Sequence, residues 1–122
     1  MTRYSRILSL AIAASLALAG EAFAHAHLQT SVPADKAVVA TSPSELDLTF
    51  TEELNIKFTG ITVKGPGNAD VKTGAAMLMD GDKGFMVPVS DKLAAGDYTV
   101  EWHALSADGH KTNGSFSFTV KP

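Results

Sequence analysis

The chain has 122 residues, a formal net charge of −3 at pH 7, 45% hydrophobic residues and no cysteine. That length suits one domain with a single core, and the mildly acidic balance, with no basic block, argues against nucleic acid as a partner. Without thiols there is neither a disulfide nor a thiolate site, so any bound metal must use nitrogen, oxygen or thioether donors.

Residues 1–24 read as a cleaved signal peptide. Arg3 and Arg6 precede an apolar run from Ile7 to Ala19, and Ala22-Phe23-Ala24 supplies the small residues of a cleavage site. The run is too short for a membrane span, which needs about 20 residues. Cleavage after Ala24 leaves a mature chain, 25–122, of 98 residues that begins His25-Ala26-His27. It carries eight Lys/Arg against twelve Asp/Glu, a formal charge of −4.

The mature chain reads as strands and turns. Leu28-Gln29-Thr30-Ser31-Val32 alternates before Pro33, which predicts a first strand with Leu28 and Val32 inward. Pro33 to Lys36 is a turn. Glu45 to Phe50 alternates cleanly, with Leu46, Leu48 and Phe50 on one face. From Glu52 to Phe58 the alternation of Leu54, Ile56 and Phe58 is broken by Glu53 and Asn55, and a loop leading into a strand at 60–64 is expected. Turns follow at Gly65–Asn68 and Asp80–Gly84, with an ambiguous stretch, a short strand pair at most, between them. Phe85, Val87 and Val89 share a face, and Pro88 suggests an edge strand or a bulge.

Two strong strands close the chain. One runs 96–104 with Tyr98, Val100, Trp102 and Ala104 inward. The other runs 114–120 with Phe116, Phe118 and Val120 inward. Helical periodicity is confined to about one turn near Asp91–Ala94. The sum is an all-β fold, a Greek-key β-sandwich, with Trp102 in its core.

The chemistry gathers at the two ends of the mature chain. The loop 105–113 holds Asp108 and His110 two residues apart. Alone that is weak, since Asp-Gly is ordinary turn chemistry and a loop histidine is more often solvated than liganding. A mature terminus at His25 adds two donors from one residue, the α-amine and a ring nitrogen. With the His110 imidazole and an Asp108 oxygen they make an N3O set, which in tetragonal geometry suits Cu(II). The amine, with an ordinary pKa near 8, loses its proton on binding.

Several stretches together resemble the CopC/PcoC family of periplasmic copper-resistance proteins. They are the exported His25, Ser31-Val32-Pro33-Ala34, Leu48-Thr49-Phe50-Thr51-Glu52, the tract from Ala95 to Trp102, and Ser106 to Phe116. The resemblance implies a cupredoxin-like or immunoglobulin-like sandwich in the periplasm that binds one Cu(II) ion through an N-terminal histidine brace. By position His25, Asp108 and His110 match the family's ligands, and Glu52 matches an acidic position near them. It further implies a non-enzymatic, monomeric role in copper homeostasis, with an inner-membrane CopD-type protein as partner.

Some members hold Cu(I) in a methionine-rich loop. Here Met77, Met79 and Met86 are the only mature methionines and read as core or half-buried packing. His27 could instead bind Cu(II) in a planar mode through deprotonated amides, but the first strand needs that backbone. His103 points away from the core and is read as an exposed or outer histidine. Two other readings stand beside the main one: a histidine-brace copper oxidoreductase, and a metal-free β-sandwich interaction module.

Overall fold

Eight strands organise residues 26–122, which are the residues described by a computed structural model of the protein. The signal peptide expected at 1–24, and His25, lie outside the described residues. In chain order the strands are β1 (Leu28–Val32), β2 (Ala37–Val39), β3 (Glu45–Phe50), β4 (Gly60–Lys64), β5 (Met77–Met79), β6 (Gly84–Pro88), β7 (Gly96–Leu105) and β8 (Lys111–Val120). They form two four-stranded sheets, ordered β1-β3-β6-β5 and β2-β8-β7-β4. The chain changes sheet at every connection except the β5–β6 and β7–β8 hairpins. Among the described residues no helix is long and apolar enough to cross a membrane.

The alternation in the sequence places the core. Leu46, Leu48 and Phe50 of β3, with Phe85 and Val87 of β6, face Tyr98, Val100, Trp102 and Ala104 of β7 and Phe116, Phe118 and Val120 of β8. Phe50 meets Trp102 across the sheets edge to face, ring centroids 5.1 Å apart at 77°. Trp102 is 8% exposed, as a core residue should be. Its indole lies over Gly114, its partner on β8, where an added Cβ would come within 2.6 Å of Cζ2. On the opposite face the His103 ring covers Gly60 of β4 in the same way. Both neighbours must be glycine for the rings to lie flat on the sheet.

Several expectations are corrected. Val32 is 64% exposed, because the β1–β3 register slips between Leu28 and Thr30. The extra residue of that irregularity reverses which face the later side chains take. Beyond Val32 the chain leaves its first sheet through a cis Val32–Pro33 bond and pairs as β2, parallel to β8, a strand the sequence did not announce. Ile56 and Phe58 form a short 3-10 helix, and Phe58 is 59% exposed rather than following Leu54 inward. β6 is an interior strand, and Pro88 ends it beyond Met77, the first residue of antiparallel β5, with its carbonyl accepting from Gly74 N at 2.8 Å. Of the stretch before Asp80 only Met77–Met79 is a strand. Leu78 takes its inward face, so Met77 is 51% exposed and not in the core. The residues around Asp91–Ala94 are not helical. There Leu93 is buried, its N–H held by Ser42 Oγ at 2.7 Å.

Candidate metal centre

The expected loop is shorter than the sequence suggested, because β7 and β8 remain paired up to Leu105 and Lys111. Only Ser106 to His110 forms the tip. Ser106, buried in this otherwise exposed tip, organises it. Its N–H donates to His110 O at 2.9 Å, its Oγ accepts from His110 N at 3.2 Å, and its hydroxyl donates to Asp108 Oδ1. Gly109 N closes the turn on Ser106 O at 2.9 Å, with Gly109 at φ 95° in the region that favours glycine.

Asp108 and His110 are thereby brought together. Their Oδ1 and Nδ1 lie 3.0 Å apart, and both side chains are about half exposed. Two donors about 2.0 Å from one ion and at right angles to each other are about 2.8 Å apart. The pair, joined by a hydrogen bond, therefore stands close to the spacing of two neighbouring ligands. In the neutral ring the proton of that bond belongs to Nδ1, since an ionised carboxylate only accepts.

Hydrogen bonds from the Ser106 hydroxyl first, and then from His110, hold the Asp108 carboxyl below the usual aspartate range. A carboxyl so lowered in the folded state stabilises it above the ordinary pKa, and that contribution is lost as pH falls through the lowered value. Ser106→Ala is expected to raise the Asp108 pKa, measured by an NMR titration of its side-chain carboxyl. An unchanged value would mean that Ser106 does not set it.

The start of the described chain is strapped beside this tip. Thr112 Oγ1, two residues past His110, donates to Ala26 O at 2.7 Å, and Ala26 is fully buried. On its other side Thr51 grips His27 twice. His27 N donates to Thr51 Oγ1 at 2.9 Å, and Thr51 N donates to His27 O at 2.9 Å. The His27 amide is thus committed to Thr51, a commitment that a planar copper mode through deprotonated amides would have to break.

Glu52 follows Thr51 and lines one pocket with Glu53, Lys83, Ser106 and Asp108. Ala107 N donates to Glu53 O at 2.8 Å, which holds that acidic segment against the loop. His103 lies elsewhere, on the outward face of β7 over Gly60. Met77 and Met86 are paired across β5–β6, and Met79 shares their outward face, but neither strand carries a histidine. Among the described residues no three His, Cys, Asp or Glu side chains converge on one point. Of the three expected ligands, Asp108 and His110 are adjacent, and His25 lies outside the described residues. The sequence reading missed Ser106, Thr51 and Thr112. For Ser106 a signal existed, since a serine before Asp-Gly favours local hydroxyl–backbone bonding.

These features define a small two-sheet β-sandwich with a carboxylate–imidazole loop at the end where its N-terminal strand begins. Residues 28–121 match the CopC domain family, and the chain belongs to that family. It is 40% identical over 114 residues to Protein YobA of Escherichia coli K12, covering 93% of this chain and 92% of that one. It is 39% identical over 117 residues to copper resistance protein C of Xanthomonas campestris pv. juglandis, covering 90% of each. Among solved structures, PcoC from Escherichia coli, described as a methionine-rich copper resistance protein, superimposes with a TM-score of 0.73 at 33% identity. That match covers 80% of this chain and all of PcoC. This chain has four methionines, Met1 among them.

Proposed function

We propose that this protein is an exported, periplasmic Cu(II)-binding protein of copper homeostasis or resistance. It binds one ion as cargo, sequestering it or passing it to an inner-membrane CopD-type protein, and is not an enzyme. The α-amine and ring of His25, the His110 imidazole and an Asp108 oxygen hold the ion, with signal-peptide cleavage after Ala24 supplying the amine. The observation that carries this reading is the bond from Thr112 Oγ1 to Ala26 O. It fastens the residue next to position 25 to the strand that leaves His110, and consecutive Cα atoms are about 3.8 Å apart. The 3.0 Å spacing of Asp108 and His110 supports it from the other side. Donor types agree as well: nitrogen with one oxygen suits Cu(II), whereas thioethers would suit Cu(I).

The test is a copper titration of protein processed to start at His25, against its His110→Ala variant. Affinity for Cu(II) is expected to fall by at least about 100-fold, because losing even an outer-shell partner of a metal ligand costs 10–100-fold. The EPR spectrum should lose one nitrogen coupling. Equal affinity and an identical spectrum would remove His110 from the site.

A further inference from the structure

The first half of β8 carries an open sheet edge. β2 covers β8 only at Phe118–Val120. Just before that, Lys36 N donates to Ser117 O at 2.6 Å and Ser117 N donates to Asp35 Oδ1 at 3.0 Å. Ser117 therefore turns its backbone polar groups away from β7, and in an antiparallel ladder every second residue does the same. Lys111, Asn113 and Ser115 follow, since their register with Leu105, His103 and Glu101 is unbroken. Their N–H and C=O groups point outward from the sheet. All three residues are exposed, and among the described residues no strand pairs with them on the side away from β7.

Two grooves flank this edge and share Lys111, Thr112 and Asn113. One is bordered by His27, Leu28 and Trp102, so its wall is partly apolar. The other adds Lys57, Phe58 and His103. Neither is lined by any Asp or Glu, although the whole chain carries a net charge of −3. The two lysines stand at the Lys111 end of this edge, whereas the nearest acids, Glu101 opposite Ser115 and Asp35 at Ser117, lie toward its other end, so the Lys111 end is complementary to negatively charged side chains.

We infer that this edge receives an extended segment of a partner protein in which acidic and apolar side chains alternate. The segment adds to β8 as a further strand, bonding to the backbone of Lys111, Asn113 and Ser115. Its alternate side chains point to opposite faces. Acidic ones meet Lys57 and Lys111 on the outer face, and apolar ones enter the groove beside Leu28 and Trp102. The inference rests on backbone direction and charge alone and is independent of copper.

The test uses metal-free, 15N-labelled protein recovered from the periplasm and a capped (Glu-Val)4 peptide as probe. Addition of the peptide is expected to shift the amides of Lys111, Asn113 and Ser115 and to slow their hydrogen exchange at least tenfold. Thr112 and Gly114, whose amides already face β7, should keep their exchange rates. Charge reversal with Lys57→Glu and Lys111→Glu together should weaken binding about tenfold and favour a (Lys-Val)4 peptide instead. Absence of binding, shifts that map elsewhere, or equal binding of both peptides to the unaltered protein would overturn the proposal. So would protection of these three amides that grows with protein concentration alone, which would make a second copy the occupant.

Discussion

Protein carrying one extra residue ahead of His25 is expected to bind Cu(II) at least about 100-fold more weakly than protein that starts at His25. The extension leaves every side chain in place and converts one nitrogen, the α-amine, into an amide. The lone pair of a neutral amide nitrogen is delocalised into its carbonyl, so the chelate ring on His25 cannot close unless copper first displaces a far less acidic amide proton. The uncleaved precursor should behave in the same way. A pH series gives the second readout. The amine is protonated below about pH 8, so copper must displace its proton, and affinity of the His25-terminated form should fall as pH is lowered. The extended form has no ammonium proton at His25 to displace, and its affinity should depend less on pH in that range. Isothermal titration of both forms at several pH values would decide it. Matching affinities and slopes would show that the terminus plays no part in binding.

Replacing Phe50 by alanine should cost about 3–5 kcal/mol. Phe50 is fully buried, ends β3, and is the ring that joins the two sheets through Trp102. Its loss opens a cavity between two strands that are themselves fixed by pairing, so the walls cannot collapse far to fill it. For a domain of about 100 residues each kcal/mol lowers the melting temperature by about 4–8 °C. Thermal and urea unfolding followed by circular dichroism should therefore show a fall of about 12–40 °C in melting temperature and a large drop in urea midpoint. Phe58→Ala is the control: that ring stands on the surface and should change stability by no more than about 0.5 kcal/mol. A loss below about 1 kcal/mol at Phe50 would contradict the packing described.

Those two phenylalanines also show how far the sequence could be read. Both fall on alternating apolar patterns, at 46-48-50 and 54-56-58. Phe50 obeys its pattern because β3 is paired on both sides and covered by the other sheet. Phe58 escapes because the chain turns through a 3-10 helix, where period two no longer describes direction. Val32 escapes for a related reason, a one-residue slip that no local composition announces. At the site, Asp108 and His110 were legible since a five-residue tip brings them together. The straps Thr112–Ala26 and Thr51–His27 join residues 86 and 24 apart in sequence, and such pairings arise only from the assembled sheets. His25 was singled out from the cleavage pattern alone, a chemical signal that precedes folding altogether.

The β7–β8 hairpin sets an order of events as the chain folds. Its ten pairs are close in sequence, so the loop between them is inexpensive to close, and pairing can start at the turn itself. Asp108 and His110 are at that turn. The contact that brings up the chain's beginning must instead close a stretch of 86 residues, and it gains nothing until both sheets exist. Half of the proposed site is therefore assembled early by local structure, whereas the other half arrives with the last long-range contacts. A nascent chain would present an aspartate and a histidine to metal well before it could hold an ion firmly, and tight binding would report that folding is complete.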